Sequence, residues 1–168
     1  AGAVRRAELV ATGANDPLLG ELSVPSGPEV VATEVLAKRL DLKAGAQILM
    51  RVSRSLDKEI LTLPLAVKGI APASSLGREA VFADLRLLLL VDEFIDGKVA
   101  VTGTLADVEL KPDRVYSGFR AHARRLEDVI TLDRFLRSED VEIDTQTAEI
   151  KGLLGLDNSL SALFVLLA

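Results

Sequence analysis

The chain has 168 residues, 49% hydrophobic and 27% charged, with 20 Lys and Arg against 25 Asp and Glu. A net charge of −5 argues against a nucleic-acid binder, which needs a basic face, and the absence of cysteine excludes thiol nucleophiles, disulfides and thiolate metal sites. A single histidine and 4% aromatics leave little for a His-rich metal centre or base-stacking platforms.

This length fits one domain or two small subdomains. Gly13, Pro17, Gly20, Pro25 and Pro28 punctuate residues 1–28 as an irregular segment, with one short strand near Leu9–Ala11. Val30–Ala32 reads as a strand, and Thr33 as the cap of a helix running to Leu40. After a turn at Lys43-Ala44-Gly45, Ile48, Met50 and Val52 alternate with polar neighbours. Leu61, Leu63, Leu65 and Val67 alternate next, predicting an antiparallel ribbon that ends by Gly69 and Pro72. Pro64 lacks an amide donor and predicts an edge or a bend.

Ala80–Phe82 is a further strand. Asp84 is placed to cap a leucine-rich helix from Leu85, with Gly97 where a C-cap belongs. Val99–Thr102 reads as a strand, followed by a polar connection at Pro112-Asp113. Phe119, Ala121 and Ala123 alternate as a one-sided strand, Val129, Leu132, Phe135 and Leu136 recur at helical spacing, and Val141, Ile143 and Thr145 alternate again. That pattern predicts a βαβ unit over 113–147 after a β-rich part over 29–107, an α+β fold overall. Residues 148–168 read as a helix. Its last stretch, Leu160–Ala168, has no polar face and is expected to lead towards a membrane span.

Three constellations could carry chemistry. Asp92 and Asp96 share a helix face beside Glu93, as a hard-cation site or an acid/base pair would require. An acidic helix C-terminal turn is the plainer reading, since the regular oxygen spacing of a calcium loop is absent. His122 with Glu127 or Asp128 could orient a base, but no nucleophile elbow occurs, and His122 falls on the polar face of its strand. Arg120, Arg124 and Arg125 could bind an anionic headgroup or partner, or pair with Glu127 and Asp128. No phosphate loop or dinucleotide fingerprint is present. The residues therefore predict no catalytic, cofactor or metal site, and name no partner-binding residue.

Several phrases resemble the extracytoplasmic domains of MacB/LolE/FtsX-like ABC transporter permeases. Glu29–Ile48 is similar to that family's strand, short helix and Leu-x-Leu-Lys-x-Gly passage. Ala66-Val67-Lys68-Gly69-Ile70 resembles the end of its β-ribbon. Val81-Phe82-Ala83-Asp84-Leu85 and Phe94-Ile95-Asp96-Gly97 resemble the start and exit of its next helix. Phe119–Val129, Glu142–Ile150 and Leu156–Phe164 resemble the second porter half and the approach to a membrane helix.

The resemblance covers roughly Pro25 to the end, and each phrase is degenerate by itself. It implies a β-rich sabre-like subdomain and a βαβ porter-like subdomain. The first porter half is absent or reduced to Ala1–Asp16, so the chain is expected to begin inside the domain. The implied role is non-catalytic: coupling membrane-helix movement to substrate or partner handling outside the bacterial inner membrane, on the periplasmic or extracellular side. The implied partners are a cytoplasmic ATPase and a periplasmic protein or lipoprotein. Two alternatives stand beside it: a soluble β-barrel-like adaptor that binds a protein partner, and a small hydrolase using Asp92, Glu93 and Asp96.

Overall fold

The computed structural model describes residues 6–143 except 56, 112, 117 and 124, and at 126 the backbone alone. The chain divides into two compact units, Ala1–Val115 and Tyr116–Ala168. Both helices and strands are present, so the fold is α+β.

The first unit is built on a five-stranded mixed sheet in the order β1-β5-β2-β4-β3. The strands are β1 (Glu8–Thr12), β2 (Glu29–Thr33), β3 (Gln47–Ser53), β4 (Ile60–Ala71) and β5 (Ala80–Asp84). β1 runs parallel to β5 and β2 parallel to β4, whereas β5–β2 and β3–β4 are antiparallel. The central strands β2 and β5 are buried on both faces, and their sequences are accordingly near-continuous apolar runs. One face packs Val30, Ala32, Leu65, Val67 and Val81 against Leu36 and Leu87 from the helices. The other packs Val10, Val31, Ala71 and Phe82 against Leu19, with Leu22 and Val24 alongside. The irregular N-terminal stretch thus contributes an edge strand and a cover for the sheet.

Local chemistry sets the helix boundaries. The Thr33 hydroxyl accepts the Leu36 N–H at 3.4 Å and starts α1 (Glu34–Leu40). The Asp84 carboxylate accepts the Arg86 N–H at 2.7 Å and starts α2 (Leu85–Ile95). Gly97 follows the end of α2 at φ +75°, a conformation that suits a residue without Cβ, and its N–H closes onto the Phe94 carbonyl. α2 lays Leu89, Leu90 and Phe94 against Leu61 of β4.

Three expectations need correction. β4 continues through Gly69 to Ala71, because Gly69 pairs with Val31 across a register shift and keeps the ladder going. Val99–Thr102 forms no strand: the Val99 N–H donates to the Glu93 carbonyl at 3.2 Å and Gly103 N–H to the Ala100 carbonyl at 2.8 Å. These backbone groups close the helix end and a turn. Residues 118–123 form no strand either, and Phe119 is 65% exposed, because no neighbouring strand among the described residues offers them a ladder.

Pro64 is explained by position. The Ala66 N–H points towards β2, donating to the Pro28 carbonyl, and Pro64 faces the same way two residues earlier. β2 begins opposite Ala66, so the missing donor falls where β4 has no second neighbour.

In the second unit the expected helix is present as α3 (Leu126–Ser138), with Glu127 and Asp128 in its first turn and Arg137 in its last. The Val141 N–H closes that helix onto the Leu136 carbonyl at 3.0 Å, and residues 141–143 form no strand. The rest of the expected strand, from 144, and the helix over 148–168 lie outside the described residues.

Candidate functional site

The acidic cluster at the end of α2 does not converge. Glu93 is turned to the Arg114 guanidinium, Oε1 to Nη1 2.6 Å, with both side chains less than a quarter exposed. Asp96 pairs instead with Lys98 at 2.8 Å, which holds its carboxyl below the usual carboxylate range. Asp92 is exposed on the helix surface, and its backbone carbonyl accepts the Asp96 N–H. Among the described residues no group of three His, Asp or Glu side chains is placed to hold a metal ion.

Glu93 and Arg114 form part of the wall of an open groove of about 380 Å³, completed by Asp107, Glu109, Lys111 and Asp113. Asp107 is already engaged: its carboxylate accepts the Thr104 N–H at 2.7 Å and the Thr104 hydroxyl at 3.0 Å. These bonds, the backbone one foremost, lower its pKa. The groove is polar and carries four carboxylates against two cations, of which Arg114 pairs with Glu93 and Lys111 lies 3.9 Å from Glu109. The Glu93–Arg114 pair fixes the chain after residue 107 onto α2.

The other sequence candidates are dispersed in the second unit. His122 and Arg120 are exposed on an irregular segment. Arg125 pairs with Glu127 at 3.3 Å, both well exposed, an interaction of small energetic weight. Arg124 lies outside the described residues.

A cationic side chain absent from the sequence reading organises the same end of α2. Arg54, at the tip of the β3–β4 hairpin, donates Nη1 to the Phe94 carbonyl at 3.1 Å and lies 5.0 Å above the Phe94 ring centroid. Asp57 receives its Nε at 2.9 Å and Glu59 is a further partner, so the guanidinium is enclosed and its pKa raised, chiefly by Asp57. The Arg54/Asp57 spacing is legible in sequence, whereas Arg54 to Phe94 and Arg114 to Glu93 are long-range contacts with no local signal.

No protein-family model matches the chain, nor does any curated protein or solved structure. No helix among the described residues is long and apolar enough to cross a membrane.

Proposed function

We propose that the chain is a non-catalytic extracytoplasmic domain of a MacB/LolE/FtsX-like ABC transporter permease. In this reading it couples membrane-helix movement to the handling of a substrate or partner protein outside the bacterial inner membrane. The observation that carries it is the order in which the family-like phrases fall on the elements. Glu29–Ile48 spans β2, α1, the turn and the start of β3, and Ala66–Ile70 lies on β4. Val81–Leu85 lies at the β5–α2 junction with its Asp84 cap, and Asp96-Gly97 closes α2. A degenerate phrase is weak singly, but agreement of the four phrases within residues 29–97 with their element boundaries supports the reading. The strand expected within Phe119–Val129 is not formed, so that phrase adds only its helix start.

The finer division into sabre-like and porter-like parts belongs to the same proposal, as do an ATPase on the cytoplasmic side, a periplasmic protein or lipoprotein partner, and a membrane connection through residues 148–168. The adaptor alternative draws less support, because a small closed barrel would join its terminal strands, and here β1 and β3 are separate edges.

The test uses the intact gene product. It should sediment with the inner membrane, be digested by protease added outside spheroplasts over this domain, and co-purify with an ATPase. Recovery in the soluble cytosolic fraction would overturn the proposal.

A further inference from the structure

Among the described residues no strand pairs with the outer edge of β3. Ala46 and Arg54 on either side of the strand bond to β4, through the Val67 N–H to Ala46 carbonyl and the Arg54 N–H to Glu59 carbonyl. By the two-residue alternation of an antiparallel ladder, Ile48, Met50 and Val52 also turn their backbone groups to β4. Gln47, Leu49, Arg51 and Ser53 turn theirs outward, and none of these groups has a backbone partner among the described residues. Edge strands are usually blunted by proline, charged side chains (lysine above all), a bulge or shortness. β1, the opposite edge, is short at five residues and starts with Glu8, which is paired with Arg78. β3 has seven residues, regular pairing throughout, no proline, Arg51 as its one charge, and Leu49 two residues from it that is 70% exposed.

We infer that β3 pairs antiparallel with β3 of a second copy of this chain, about a two-fold axis at Leu49. Side-chain complementarity selects that register. On the exposed face Leu49 stands opposite Pro64, so the dimer would carry a continuous apolar row of Pro64, Leu49, the second copy's Leu49 and its Pro64. Arg51 comes opposite the second copy's Gln47, and each outward-facing pair exchanges two backbone bonds. On the inward face Met50 meets the second copy's Ile48, both half-buried against the core already. An axis at Arg51 would oppose two guanidinium groups, and an axis at Met50 would place Leu49 against Arg51.

The contact is one strand wide, below the roughly 1,200 Å² of stable complexes. The dimer is therefore weak, with a dissociation constant of about 10–100 µM. This inference rests on the sheet and is independent of the transporter reading.

Sedimentation equilibrium of the full chain, from about 5 to about 500 µM, should show a monomer–dimer equilibrium in that range. Leu49→Lys should weaken it at least about tenfold with an unchanged circular-dichroism spectrum, because the site is exposed. Gln47→Glu should tighten it about two- to fivefold by facing Arg51. The chain has no cysteine, so Leu49→Cys should give a specific disulfide-linked dimer on mild oxidation. A monomer throughout the range overturns the inference. So does association that ignores Leu49→Lys and yields no Leu49→Cys disulfide, which would assign it to another surface such as the apolar C-terminal run.

Discussion

Arg54 holds Phe94 twice, with one N–H on the backbone carbonyl at 3.1 Å and the guanidinium plane 5.0 Å above the ring. Phe94 is fully buried and lies in the last turn of α2, where its carbonyl accepts the Gly97 N–H at 3.0 Å and the Arg54 guanidinium together. The hairpin tip thereby caps the helix. Arg54→Met keeps the stem and loses both polar roles. It should lower the melting temperature by about 5–10 °C, the size expected for one charged hydrogen bond plus a ring contact in a unit of this length. Arg54→Lys should recover less than half of the loss, since an ammonium cannot serve Asp57 and the carbonyl together. Equal melting temperatures for Arg54→Met and the parent would sink this account.

Thr33 serves three backbone groups from one buried hydroxyl. It accepts from the Leu36 N–H and the Ala80 N–H, at 3.1 Å for the latter, and donates to the Arg78 carbonyl at 2.9 Å. Thr33→Val preserves shape and strands these partners away from water, at a cost of about 2–3 kcal/mol. Thr33→Ser should stay within about 1 kcal/mol of the parent. Urea midpoints at constant m-value decide it.

Ser75 presents the opposite case. Its hydroxyl oxygen is buried, and it has no hydrogen-bond partner among the described residues. Removing an unsatisfied group relieves its desolvation, so Ser75→Ala should be neutral or stabilise by up to about 1 kcal/mol. A lower urea midpoint for Ser75→Ala would contradict the burial argument.

Four carboxyls lie below their ordinary pKa: Glu29 beside the Lys68 ammonium, Asp57 beside Arg54, Asp96 beside Lys98 and Asp107 under the Thr104 N–H. Each binds protons more weakly folded than unfolded, so its stabilisation is complete above the unfolded value of about 4. It is lost as pH falls through the lower folded value. Melting temperature should thus be level from pH 7 to about 5 and drop below about 4. Glu29→Gln combined with Asp57→Asn should flatten that acid limb; a parallel limb would refute the assignment.

Arg114 is tied to Glu93, whereas Val115 beyond it is 92% exposed, Phe119 65% exposed and Arg120 exposed as well. Under native conditions trypsin should therefore cut after Arg120 before Arg114, and Glu93→Gln should bring the Arg114 cut forward. First cleavage after Arg114 in the parent would show that the ion pair does not hold the segment.

The elements with local signals were determined by sequence. The Thr33 and Asp84 caps, the turn before β3 and the alternation of Ile48, Met50 and Val52 each reside within a few residues, and each appears where its chemistry puts it. The α+β class follows from them. The tertiary structure decided what depends on a distant neighbour. Val99–Thr102 has strand-like composition, but the Val99 amide is consumed by the end of α2 and the Ala100 carbonyl by a turn, and Phe119–Ala123 alternates without a ladder to join among the described residues. The turning of Glu93 away from Asp92 and Asp96 was equally illegible, because its cation, Arg114, comes from across a long loop, whereas the Asp96–Lys98 pair is local. A strand requires a partner's backbone and a charge requires a counter-charge, and only folding supplies either.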